Sequence, residues 1–156
     1  MIRITLVCVG KLKEKYWKEA EAEYLKRLTP YAKIKYIELG EEPFRESDSP
    51  EKIKEKEAVK IDPYLGESAV IIALHEQGKE YTSVEFSKFL EANSTRGEEI
   101  IFVIGGPLGL HKSLLKKIPF HISLSQFTFP HQMVRTILLE QIYRANTLLQ
   151  GKQYHY

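Results

Sequence analysis

Cysteine is all but missing from this chain. Cys8 is the only one among 156 residues, so no internal disulfide can staple the fold, and a reducing cytoplasm is the expected location. A lone thiol also excludes a cysteine-based metal site, and the five histidines are scattered instead of standing at ligand spacing, so no metal is expected. Within VCVG, Cys8 reads as a small buried hydrophobe. Long apolar runs are missing too: the longest aliphatic stretch, AVIIAL at 69–74, falls far short of a membrane span. The amino terminus, MIRITLVCVGKLKEK, carries neither the separate apolar region nor the cleavage site of a signal peptide, and it reads as a strand. Net charge is scarce as well. A balance of +2 does not by itself announce a nucleic-acid partner.

What charge there is lies unevenly. Residues 41–67 hold nine acids against five bases, whereas 111–156 hold six bases and only Glu140. That asymmetry suits a polyanionic partner for the last third of the chain, and equally a solvated basic face. With 43% hydrophobic and 28% charged residues, 1–156 is expected to be a single globular domain.

The pattern alternates between strand and helix. IRITLVCV (2–9) is a β-branched run that Gly10 closes, and in 14–28 Trp17, Ala20, Tyr24 and Leu28 recur at helical spacing before Pro30. KIKYIEL (33–39) reads as a second strand, GEEPFRESDSP (40–50) as a polar loop, and Ser49-Pro50 as a helix start. SAVIIAL (68–74) is a buried strand. Thr82 and Glu85 form a capping box for a helix reaching about Asn93. EIIFVIG and HISLS (121–125) supply two further strands. The last helix, 131–150, places Val134, Ile137, Leu138, Gln141, Ala145 and Leu148 on one stripe, and Gly151 stops it. The fold class is therefore α/β, a mainly parallel sheet with helices on both faces. Ligands in such sheets sit beyond the carboxyl ends of strands, here the loops after Leu74, Ile104 and Ser125.

One of those loops, IGGPLGLHK (104–112), invites a phosphate-binding reading, with Ser113 close behind. Counting from Gly106, however, puts His111 where a Walker loop needs its second glycine. Gly105, Gly106 and Gly109 also miss the dinucleotide spacing. SQFTFP, between the last strand and the last helix, has little charge and two phenylalanines. Backbone polar groups beside aromatic faces suit a flat heterocycle such as adenine, although Phe127 and Phe129 would serve equally as a cap on the core. Glu140 and Arg144 have the spacing of an ordinary surface ion pair. His131 reads as a cap or a surface residue, and His75 and His111, at strand ends, as pocket-lining or solvated. The tail GKQYHY is either a frayed terminus or a flap that brings Tyr154 and His155 to a site.

Taken together and in order, ITLVCVGKLKEKYW with EYLKRL, FVIGGPLGLHK, TFPHQMVR, LLEQIYRA and the terminal YH carry a resemblance over the whole chain. They resemble the small bacterial SPOUT-class methyltransferases that modify a pseudouridine of large-subunit (23S) ribosomal RNA, the RlmH family. The resemblance implies S-adenosyl-L-methionine as cofactor, which has no phosphate, so the glycines of 105–106 would serve close backbone approach to adenosine. It places the cofactor on Leu74, Gly105 and Gly106 and on Ser125, Gln126, Phe127, Thr128, Phe129 and Pro130. It also implies a carboxyl-terminal trefoil knot and a homodimer whose sites draw on both subunits, so that part of the last helix's stripe would be an interface.

The implied reaction moves a methyl group to N3 of the pseudouridine, on the assembled ribosome. Arg144 would stabilise charge on the base, Glu140 would orient Arg144, and Tyr154 and His155 would stand on the substrate side, with His155 as proton acceptor. Arg135, Lys116 and Lys152 would track phosphates. Three positions depart from the family pattern: Leu108 and His75, where acidic or polar residues are common, and Tyr156, in place of a base. Two other classes stay open. One is a phosphotransferase using Lys112 and Ser113, which the failed glycine spacing opposes. The other is a non-catalytic RNA-binding or ribosome-associated module that keeps the fold.

Overall fold

The β-branched and aliphatic runs become strands, and all of them pair in parallel. The structure, a computed structural model, describes residues 1–95 and 97–154. Strands β1 (Ile2–Val9), β2 (Ala32–Leu39), β3 (Val70–Glu80), β4 (Ile100–Ile104) and β5 (Phe120–Ser123) form one sheet in the order β2-β1-β4-β3-β5. Helices α1 (Lys15–Leu28), α2 (Pro50–Ile61), α3 (Ser83–Ser94), α4 (Lys112–Lys117) and α5 (His131–Leu149) connect and cover it. β4, at the centre, is buried along its whole length, as a strand with helices on both faces must be. Alternate residues of the central strands feed two cores. Leu6, Phe102 and Ile72 join Leu90, Leu138 and Ile142 on one face, while Val7, Val103 and Ala73 join Ala58, Ile61 and Leu114 on the other.

Local chemistry sets the element ends where the sequence placed them. Ser49 caps α2 ahead of Pro50, Thr82 and Glu85 form a complete capping box on α3, and Gly10 leaves β1 at φ +97. Three features differ from expectation. β3 does not end at Leu74: Ile122 of β5 pairs first with Leu74 and then with Lys79, and residues 75–78 are extruded between them. HEQGKE looks like a loop because it is polar, but Lys79 and Glu80 return to a neighbour that only the fold supplies. Gly78 permits that return, since a Cβ there would lie 2.6–2.7 Å from the β5 backbone. The short helix α4 carried no apolar period of its own; His111 caps it, with Nδ1 2.7 Å from the Ser113 hydroxyl and 3.3 Å from its N–H.

The buried stripe of α5 is also rotated from the expected one. It runs through Arg135, Leu138, Leu139, Ile142, Ala145 and Asn146, leaving Val134, Ile137, Gln141 and Leu148 half-exposed. α5 lies between α1 and α3, so two neighbours, rather than one, fix its orientation.

Candidate functional site

The carboxyl ends of β3, β4 and β5 open onto a cavity of about 350 Å³, within the size range of small-ligand pockets. Leu74, His75 and Glu76 form one wall, and Gly105–Leu110 the second. Ser125, Phe127, Thr128 and Phe129 form the third, with His131 and Val134 of α5 behind them. The second wall is a turn folded tightly on itself: Gly109 N–H donates to Gly106 O at 3.0 Å. A Cβ on Gly105 would meet the Gly109 carbonyl carbon at 3.0 Å. The glycines therefore bring bare backbone to the cavity, and any side chain at 105 would push the turn apart. The third wall is braced by its serines: Ser123 Oγ donates to Ser125 O at 2.9 Å, and Phe127 N–H donates to Ser125 Oγ at 3.0 Å. Phe127 is 80% exposed, so its ring does not cap the core.

Most of the nominated cofactor residues thus meet in one place. Gln126 and Pro130 do not line the cavity; Gln126 is exposed, and Pro130 is the N-cap of α5, its carbonyl accepting from Met133 and Val134. Leu108 and His75, two departures from the family pattern, both line it. Burial, and then His121, hold the His75 imidazole below the usual histidine range. His111 lies outside the lining, and so do Lys112 and Ser113. Lys54 does line it, with its ammonium 2.7 Å from Glu51. Bare backbone, two aromatic rings and a single lysine suit an adenosine-bearing ligand better than a polyphosphate.

Behind the glycine turn sits a carboxylate that sequence reading did not single out. Glu57 of α2 is 5% exposed, and its Oε2 has no hydrogen-bond partner among the described residues. A Cβ on Gly106 would stand 3.0 Å from that oxygen. Burial, with Glu41 adding, pushes the Glu57 acid up to about 7. Ile53, Glu57 and Ile61 recur every four residues, so the helical period itself places Glu57 on the buried stripe. Beside it, His131 Nε2 stands 3.0 Å from Glu41, tying segment 40–49 to the start of α5.

The nominated catalytic residues form a second group. Arg144 Nε donates to Glu140 Oε1 at 3.0 Å, and a terminal guanidinium nitrogen to the same oxygen at 2.5 Å. Tyr154 folds back over them, its hydroxyl donating to Glu140 Oε1 at 3.4 Å and its ring centroid 4.8 Å from the guanidinium carbon. The Tyr143 ring, edge-on at 4.8 Å, seats it. This is no ordinary surface pair, because both charged side chains are at most 20% exposed. Glu140 makes Arg144 a firmer cation, and burial keeps the Tyr154 phenol protonated above its usual range. The trio lies further along α5, with Glu140 about 9 Å and Arg144 about 15 Å beyond Val134 of the cavity at 1.5 Å per residue, and Tyr154 folded back from past the helix end. Within one chain it does not line the cavity. His155 and Tyr156 lie outside the described residues.

Two of the expected phosphate contacts are engaged elsewhere. Arg135 is 1% exposed, donates to Glu38 at 2.7 Å and to the Gly10 carbonyl, and so pins α5 to the ends of β1 and β2. Lys152 donates to the Tyr31 hydroxyl at 2.6 Å. Lys116 remains exposed on α4. Among the described residues no group of three His, Cys, Asp or Glu side chains could hold a metal, and no helix is long and apolar enough to cross a membrane. A family model described as a predicted SPOUT methyltransferase matches residues 2–155.

Proposed function

The chain belongs to the SPOUT methyltransferase family, and we propose that it methylates N3 of a pseudouridine in 23S ribosomal RNA, with S-adenosyl-L-methionine as donor. The observation that carries this reading is the cavity itself, where the Gly105–Gly106 turn and the 125–129 connection face each other across three strand ends. Leu74, the two glycines, Ser125, Phe127, Thr128 and Phe129 would hold the donor's adenosine by backbone and ring contacts. Bound there, the donor supplies an electrophilic methyl group on a sulfonium.

The remaining work falls to the chain's own side chains. N3 is a weakly acidic imide nitrogen, so reaction needs its proton removed and the charge on its flanking carbonyls stabilised. Arg144, held cationic and oriented by Glu140, is suited to those carbonyls. Tyr154, a protonated phenol, is suited to donate a hydrogen bond beside it, and His155 is assigned as proton acceptor. Because Arg144 lies outside the cavity of its own chain, the reading requires a homodimer in which each cavity faces the partner's trio. It carries the family's trefoil knot with it. A net charge of only +2 favours the assembled ribosome as substrate over charge-driven binding to free RNA.

The test is transfer of labelled methyl from S-adenosylmethionine to ribosomes lacking the modification, with protein-free RNA in parallel and the labelled nucleoside identified. Label on N3 of a 23S pseudouridine, on ribosomes only, is expected. Donor binding without transfer to a competent ribosome would instead identify a non-catalytic ribosome-associated module.

A further inference from the structure

Among the described residues Glu57 Oε2 is a buried carboxylate oxygen with no hydrogen-bond donor, and burial of such a group normally demands a partner. The donor side chains around it are already committed. Lys60, on the same helix, reaches Glu42 at 2.7 Å and the Gly40 carbonyl at 2.9 Å. His131 of α5 is taken by Glu41. Glu41 and Glu42, from segment 40–49, face Glu57 with the same sign of charge, and β1 brings the apolar Val9 against Gly106 beside it. On its remaining side Glu57 meets Gly106, which lines the cavity.

We propose that Glu57 is the cavity's buried counter-charge, held one backbone thickness behind Gly106 so that a cationic ligand is bound in preference to a neutral one of the same shape. Resting on the function proposed above, this makes Glu57 the residue that separates the sulfonium donor from the neutral thioether left after transfer. Gly106 is part of the same device, because a side chain there would occupy the space that lets the carboxylate approach. A charge set in a poorly solvated interior acts over several ångströms with little screening. The Glu57 acid, pushed up to about 7, is divided between its two forms near neutrality. A cation in the cavity favours the ionised form, so its binding expels a proton, whereas the neutral product leaves the proton in place.

Calorimetric titration of the full chain with S-adenosylmethionine and S-adenosylhomocysteine, from about pH 5.5 to about pH 7.5, tests this. In the wild-type protein the affinity ratio of donor to product should rise about fivefold across that window, with a buffer-dependent heat of proton release for the donor only. In Glu57→Gln the ratio should be flat and the proton release absent. A ratio that is independent of pH in the wild type, or equally pH-dependent in both proteins, overturns the counter-charge while leaving the cofactor assignment standing. Failure of the wild type to bind either ligand overturns both. Should the variant not fold, a wild-type ratio independent of pH still overturns the proposal.

Discussion

Glu57 and Cys8 show how little the identity of a residue says until its surroundings are known. Both are buried, and burial, more than the neighbouring charges, pushes the Cys8 thiol up to about 12, which makes it inert. Glu57 carries the same cost without a partner, and the consequence for stability has a definite sign. An acid whose folded value lies above its unfolded one contributes stability that is complete below the unfolded value, 4.5, and is lost as pH rises through about 7. Glu57→Gln, which keeps shape and removes the charge, should therefore leave stability unchanged near the lower value. At neutral or higher pH it should raise stability by on the order of 2 kcal/mol. Urea unfolding of both proteins across that window measures it, and equal midpoints above neutrality would refute the assignment. The helical period already placed Glu57 among Ile53 and Ile61, so its burial was legible. That Lys60 and His131 would be occupied was not, since both find their acids through segment 40–49, which has no period to read.

α5 is the element on which the site depends, because its first turn closes the cavity and its later turns carry Glu140 and Arg144. Its long apolar pattern identified it, but the face it buries is set by what it packs against. Arg135 is the side chain that fixes this. It joins the first turn of α5 to Glu38 and to the Gly10 carbonyl at the ends of two strands. Replacing it by Met would leave the partly exposed Glu38 carboxylate and the Gly10 carbonyl without their donor. The expected loss is about 1–3 kcal/mol of stability, read as a lower urea midpoint. Lysine should recover only part of it, because it lacks the planar fork that serves two acceptors at once. The same logic explains β3. Its apolar half, through Leu74, was plain from composition, whereas the return of Lys79 and Glu80 depends on the position of β5 and on the bare Cα of Gly78.

For the whole molecule, the decisive relation is the separation between the cavity and the Glu140–Arg144–Tyr154 trio. If each working site joins one chain's cavity to the other's trio, two defective chains can repair one another. Gly105→Val, which forces the glycine turn apart, and Arg144→Ala should each abolish transfer alone. Mixed and allowed to exchange subunits, they should restore roughly a quarter of wild-type activity, because half the dimers are mixed and each holds one intact site. No recovery, with exchange demonstrated, would mean that each chain completes its own site. The sequence by itself determined the α/β class, most strand and helix positions and the three cavity walls, because local period, capping and glycine chemistry act over a few residues. Only the tertiary structure decided which face α5 buries, that Arg135 is a pin and not a phosphate contact, that His111 caps a helix, and that Glu57 stands unpaired behind Gly106. Those outcomes turn on side chains tens of residues apart meeting in one dry place, where burial and the available partners, rather than residue type, fix what a charge can do.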